Sequence, residues 1–277
     1  MNTTIILLLS LLIGAVVLVL LARSDSRACR IATPTVFGLL VLWIWQVVCT
    51  GYHIPSVLLP PPSEIGVAIA THIPILAADL RQTVLRSVIP GWLIGSGAGL
   101  LAAIALDRSP FLRRGVLPLG SLVSAMPIVG IAPIMVMWFG FDWQSKAAVV
   151  VAMTFFPMLV NAGAGLAQTG AVEADLMRSY AASYRTTLLK LRLPSALPFV
   201  FNALKLNAAL ALIGAIVAEF FGTPIVGMGF RISTEAARLD LGVVWAEIAI
   251  AAAIGTMSFT LLSLLERAVT FWHPSYH

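Results

Sequence analysis

The sequence predicts an all-α integral membrane protein with about seven transmembrane helices. Three observations carry this. Mean hydropathy is +0.98 and only 10% of residues are charged, where a soluble domain is usually about 25% charged. The apolar residues fall into runs close to the roughly 20 needed for a helical span. Those runs are unbroken. An outer-membrane barrel would alternate with period two, and backbone groups in lipid must be satisfied within their own segment, so helices are required.

The spans are expected at 3–22, 34–49, 88–106, 116–139, 147–166, 199–221 and 243–265. The stretch 65–85 is mixed, holding His72, Pro74, Asp79 and Arg81, and reads as an interfacial segment with a helix leading into the third span. The first run competes with a signal peptide, but Met1-Asn2-Thr3-Thr4 lacks positive charge and the run is long for a leader. An uncleaved span fits better.

Basic residues orient the bundle, because Lys and Arg collect on the cytoplasmic side. Arg23, Arg27 and Arg30 follow span one. Arg108, Arg113 and Arg114 follow span three. Arg178, Arg185, Lys190 and Arg192 follow span five, and Arg267 follows span seven. Against these eleven stand four on the opposite side, Arg81, Lys146, Arg231 and Arg238. The amino terminus is therefore expected outside, and the polar island at 170–198 in the cytoplasm. The net charge of +5 and pI of about 9.7 follow from these loops. They suit an anionic lipid leaflet and give no argument for nucleic acid. Cys29 and Cys49 are too few for a disulfide framework, and Cys29 falls on the reducing side.

No catalytic pattern is present. The sequence holds no Gly-x4-Gly-Lys-Ser/Thr loop, so the chain is not a P-loop ATPase. His273 and His277 have a spacing that can hold metal on a helix, but Pro274 interrupts the turn. The expectation is that the chain is not an enzyme and has no cofactor and no metal of its own.

Within the spans, Gly91, Gly95 and Gly99 recur at four-residue steps. Small residues on one face let helices approach closely; bundle packing is preferred here over a pore-lining helix. Met126-Pro127 and Ala132-Pro133 interrupt span four, marking either a simple kink or the border of a substrate path. Lys205 lies one turn into span six and can snorkel to the cytoplasmic interface. Glu219 sits near the outer end of that span, about 21 Å from Lys205, with Arg231 or Arg238 as its expected partner. Glu247, early in span seven, is the third ionisable group of interest.

Several pieces, in order, carry a family resemblance. They are Leu58-Leu59-Pro60-Pro61-Pro62-Ser63-Glu64-Ile65, Met126-Pro127 through Ile131-Ala132-Pro133-Ile134, and Trp138-Phe139-Gly140. Val217-Ala218-Glu219, Gly227-Met228-Gly229, Leu265-Glu266-Arg267 and the ending Trp272-His273-Pro274-Ser275-Tyr276-His277 complete the set. Over roughly 32–277 the chain resembles permease subunits of ABC importers for nitrate, sulfonate, taurine and related compounds. The resemblance implies a six-helix type I importer core at 32–277, with 1–31 as an extra N-terminal helix and basic cytoplasmic linker. It also implies multi-pass residence in a bacterial inner membrane. The implied partners are two ABC ATPase subunits carrying ATP and Mg, an extracytoplasmic substrate-binding protein and a second permease copy. A small polar solute would pass by alternating access: a sulfonate-, taurine- or nitrate-like anion, or a pyrimidine-type vitamin precursor. A secondary transporter or channel without an ATPase is the alternative reading.

The family's coupling motif, Glu-Ala-Ala-x3-Gly-x9-Ile-x-Leu-Pro, is present in altered form near 171–190. Asp175 stands for Glu, Leu176 and Met177 for the alanines, Ala181 for Gly and Leu191 for Ile, while Leu193-Pro194 match. Glu173, Asp175, Leu176, Arg178, Ser179, Tyr180, Ala181, Leu193 and Pro194 are thus the expected ATPase-coupling residues. An ordinary amphipathic interfacial helix is the competing reading. Ala181 falls where the motif's Gly serves a turn, and Ala tolerates positive φ poorly. Met126, Pro127, Pro133, Glu219, Gly227 and Gly229 are the candidate pathway or gate residues.

Overall fold

A computed structural model describes residues 3–24, 26–109, 111, 115, 127–222 and 225–271. Most of the described residues are helical, and no strand occurs among them. Among the described residues, six helices are long and apolar enough to cross a membrane: Thr3–Ala22, Ala28–Gly51, Ile73–Asp107, Trp143–Ala167, Tyr184–Glu219 and Leu241–Val269. A shorter apolar helix, Gly130–Phe139, is the end of the expected fourth span. The rest of that span, with Met126, and the 272–277 ending lie outside the described residues. The chain divides into two compact units, one of 1–74 with 232–248, the other of 75–231 with 249–277.

In the first unit, α1 (Thr3–Ala22) and α2 (Arg27–Gly51) form an antiparallel hairpin. Thr3 donates to the Gly51 carbonyl at 3.0 Å, and Gly14 leaves room for Leu40. Ser26 caps α2 by accepting from the Cys29 amide. Pro62 opens α3 (Pro62–Thr71), where its missing N–H costs nothing. Gln46 holds the start of α3 at both its amide ends, donating to Ser63 Oγ and accepting from Ser63 N, each at 3.0 Å. Trp45 and Trp245 meet edge to face with centroids 5.0 Å apart.

In the second unit, the third span is longer than its apolar run. Helix α4 (Ile73–Leu80), a π-helical segment (Arg81–Val88) and α5 (Ile89–Asp107) are continuous. The segment expected at the interface thus splits into α3 and the first part of this helix. The sixth span is lengthened the same way. After α6 (Ile128–Phe139), α7 (Trp143–Ala167) and α8 (Ala171–Ser179), a short helix α9 (Tyr184–Thr187) and a π-helical segment (Leu188–Arg192) lead into α10 (Leu193–Glu219). Helices α11 (Met228–Ala237) and α12 (Leu241–Val269) close the chain.

Both π segments end two residues before a proline, Pro90 and Pro194. A proline ring in a helix collides with the carbonyl four residues back. The Ile89 amide reaches back to Val84 O and the Leu193 amide to Leu188 O. These five-residue steps widen the turn where each ring must fit.

The glycine stripe of α5 is a packing face. A Cβ at Gly91 would lie 2.7 Å from Ala147 O, one at Gly95 2.9 Å from Val151 Cα, and one at Gly99 2.9 Å from Met158 Cβ. Backbone therefore meets backbone along α5 and α7. Small residues repeat the device on α10, where Ala196, Ala203, Ala211, Ala215 and Ala218 have no exposed surface. In the middle of the three-helix contact, Asn207 donates to Ser96 Oγ at 2.9 Å and to Thr154 O at 2.7 Å. Such interhelical bonds contribute about 0.6 kcal/mol each in a membrane.

Candidate functional site

Two regions of the second unit gather the chemistry, at opposite ends of α10.

Beyond the C-terminal end of α10, Gly227-Met228-Gly229 begins α11. The first amides of a helix have no partner within it and carry partial positive charge. Here three of them are met by side chains. Gly227 N donates to Asp79 Oδ1 at 2.6 Å, Met228 N to Thr83 Oγ1 at 2.9 Å and Gly229 N to Glu219 Oε2 at 2.7 Å. Thr83 donates onward to Glu219 Oε1 at 2.8 Å. Arg231 Nε pairs with Asp79 Oδ2 at 2.8 Å. Asp79 and Thr83 are wholly buried and Glu219 is 2% exposed.

Both glycines are needed for this closeness. Gly227 has φ +145°, and a Cβ there would sit 2.8 Å from the Glu219 carboxyl carbon; a Cβ on Gly229 would sit 2.8 Å from Glu219 Cβ. Nearby, Lys146 is 1% exposed and its ammonium donates to the carbonyls of Phe141 and Gly222. Counted above among loop cations, it is a buried clamp in the first turn of α7. Glu219 is placed with Thr83 and the Gly229 amide, and not with its expected partners. Arg231 goes to Asp79, and Arg238 pairs with Glu235 three residues before it.

Pro127 is extended, with φ −67° and ψ 126°, and precedes α6; Pro133 lies within α6. Lys205 pairs with Glu266 of α12, its ammonium 2.9 Å from that carboxylate and 5.6 Å from the Phe259 ring centroid. Glu247 is fully buried in the first unit.

At the other end of α10, α8 holds Glu173 in its first turn and Arg178 in its last, as its dipole favours. Not one of its residues is buried. Val172, Leu176 and Tyr180 stand four apart and are 81%, 54% and 76% exposed, making one apolar stripe. Arg178 pairs with Asp175 at 3.0 Å, both well exposed. Ser179 Oγ donates to Asp175 O. The helix ends with Ala182 N reaching Met177 O and Ala181 N reaching Arg178 O, while Ala181 takes φ +51°. This is the Schellman ending that usually carries Gly at that position. Ala181 thus holds the strained turn its place in the motif demands. Ser183 then caps α9 by accepting from Thr186 N at 3.3 Å. Leu193 and Pro194 form the first turn of α10.

The sequence reading missed Asp79, Thr83, Val172 and Asp107. Asp79 lay in a segment read as interfacial, and Thr83 carries no charge to flag it. The four-residue spacing of Val172 from Leu176 and Tyr180 could have revealed the stripe.

The described residues are those of an all-α membrane protein with exposed basic segments and buried polar clamps. The chain belongs to the family described as "Binding-protein-dependent transport system inner membrane component", which matches residues 95–271. It is a multi-pass inner-membrane protein and an ABC transporter permease. It is 31% identical over 241 residues to a probable ABC transporter permease protein of Haemophilus influenzae, covering 87% of this chain and 98% of that one. It is 30% identical over 255 residues to the formylaminopyrimidine transport permease protein ThiX of Halalkalibacterium halodurans, covering 89% and 98%. It is 28% identical over 238 residues to the putative aliphatic sulfonates transport permease protein SsuC of Bacillus subtilis, covering 85% and 86%. In fold it resembles a chain of the MetNI methionine ABC transporter in an inward-facing conformation. The TM-score is 0.60 at 16% identity, over 72% of this chain and 98% of that one.

Proposed function

We propose that this chain is the permease of an ATP-driven importer and that α8 is the surface on which a separate ATPase subunit docks. The observation that carries this reading is the stripe Val172, Leu176 and Tyr180, left exposed on a helix with no buried residue. Apolar side chains at a polar membrane face favour burial against a partner. The Ala181 turn leads from this helix directly into α9 and α10. Residues 171–190 act as the coupling segment within a permease domain of 32–277, and 1–31 adds one helix and a basic linker. Two copies frame the path, two ATPases carry ATP and Mg, and a binding protein delivers solute from outside. The amino terminus lies outside. Alternating access moves the solute, and this chain performs no chemistry.

The solute is small and polar. The names of the relatives support a sulfonate, taurine or a formylaminopyrimidine-like vitamin precursor. This chain selects among them weakly. Lys146, Arg192, Lys205 and Arg231 all have internal partners, so none of the four is poised for an anion. Selectivity then resides in the binding protein. Calorimetry on the permease without that protein is expected to show no binding of taurine or an alkanesulfonate tighter than about 1 μM, or −8.2 kcal/mol. Tighter binding would refute the weak-path reading. The docking reading is tested by ATPase recovery with variants of the stripe, described below.

A further inference from the structure

The last residue of α5, Asp107, joins two groups that lie just past the α8 turn. Its Oδ2 accepts from Arg192 Nη1 at 2.6 Å and from Tyr184 Oη at 3.0 Å. The Arg108 guanidinium carbon lies 5.6 Å from the centroid of the Tyr184 ring. Tyr184 opens α9 and Arg192 closes the π segment, so the node grips that short stretch at both ends. The side chains of Arg192 and Asp107 are only 29% and 10% exposed. A short, charge-assisted and partly desolvated pair holds its geometry. The Arg178–Asp175 pair on α8, at 82% and 69% exposure, is of the solvated kind that contributes little.

What Asp107 is attached to matters as much. Helix α5 is seated on α7 at Gly91, Gly95 and Gly99, where Val150, Thr154 and Met158 of α7 press directly against the glycine backbone and leave no room even for a Cβ. Close-packed surfaces transmit displacement and do not absorb it. The Asp107 node reaches across 77 and 85 residues of sequence, and it links the post-turn segment to the far end of a different span.

We infer that Asp107 is a positioning residue that ties α5 to the stretch between the α8 turn and α10, so that movement imposed on α8 is delivered to α5 and α7. This rests on the docking reading above. In it, α9 does not flex as a free hinge. Arg192 and Tyr184 pull the inner end of α5 with them, and the glycine face carries the displacement to α7.

Hydrogen–deuterium exchange on the permease–ATPase complex in nanodiscs, with and without ATP plus orthovanadate, reads this without knowledge of the solute. In the wild type, nucleotide trapping is expected to change exchange at 171–183 and at 101–109. In Asp107→Asn, and equally in Arg192→Gln, the change at 171–183 should persist while that at 101–109 is lost. Tyr184→Phe should weaken the 101–109 response without abolishing it. A purely structural role would move both segments together or neither. An Asp107→Asn complex that keeps its response at 101–109 overturns the inference, as does a wild type that responds at 171–183 alone. If neither charge variant assembles, an undiminished response in Tyr184→Phe overturns it. A wild type silent at 171–183 would refute the docking reading itself, and this inference with it.

Discussion

At the C-terminal end of α10, Asp79, Thr83 and Glu219 are buried and bound to the amides that open α11. At its N-terminal end, α8 buries nothing and leaves an aliphatic and aromatic stripe bare. The first region has spent its polar groups on itself. Taking a carboxylate out of water is costly unless its oxygens are satisfied, and here the helix amides and Arg231 satisfy them. The second region has kept apolar surface in reserve. The contrast teaches where each part draws its order from: the α11 end from internal hydrogen bonds, the α8 end from contact with another molecule.

The sharpest way to break this contrast is at Glu219. Glu219→Ala strands the Gly229 amide and one bond of Thr83 in a buried place. A loss of about 3 kcal/mol is expected, since hydrogen bonds to charged groups are among the strongest. Glu219→Gln keeps the shape, and the Thr83 hydroxyl can turn to accept, so about 1 kcal/mol should go. Thermal unfolding in detergent measures both, and equal midpoints for wild type and Glu219→Ala would show that the clamp contributes nothing.

The stripe should respond in the opposite sense. Replacing Leu176 and Tyr180 with Ala is expected to leave the unfolding midpoint in place. Recovery of the ATPase should fall by about 2 kcal/mol of affinity or more, as for aromatic anchors at interfaces. Unchanged co-purification and transport would remove α8 from the interface. Adding Arg178→Ala should deepen the loss only slightly, because that charge is solvated and already paired.

The smallest effect is expected at the turn. Ala181 holds φ +51°, a conformation that costs a non-glycine residue roughly 1 kcal/mol. Ala181→Gly should relieve that strain and slow hydrogen exchange at the Ala181 and Ala182 amides. Faster exchange there would mean that rigidity of the unfolded chain outweighs the strain.

The spans were legible because lipid leaves the backbone few choices, and the glycine face because a four-residue step survives translation into three dimensions. The Ala181 strain was legible from its place in the motif. Helix ends were less so. Apolar runs mark where lipid is, and the helices at 73–107 and 184–219 continue through polar residues, some buried as at Gln82, Thr83 and Ser87 and some exposed as at Arg185 and Lys190. The pairings were not legible at all. Asp79 meets Gly227 across 148 residues, and Lys205 finds Glu266 across 61. Nearness in sequence suggested Arg231 or Arg238 for Glu219, while tertiary packing gave it the Gly229 amide and the Thr83 hydroxyl, from both of which it accepts.

The π segment before Pro90 has a consequence for how the chain tolerates insertion and deletion. Each residue added to or removed from a helix rotates everything beyond it by about 100°. The widened step from Val84 to Ile89 separates two faces that must both be aimed correctly: Asp79 and Thr83 at the start of α11, and Gly91, Gly95 and Gly99 at α7. The widened turn is therefore an angular spacer. Removing one residue between Arg86 and Ile89 would let the helix tighten to ordinary pitch, yet swing both carboxylate-side contacts away from α11. A homologue that lacks the spacer must also have lost the clamp, or have moved its acidic residue by one position.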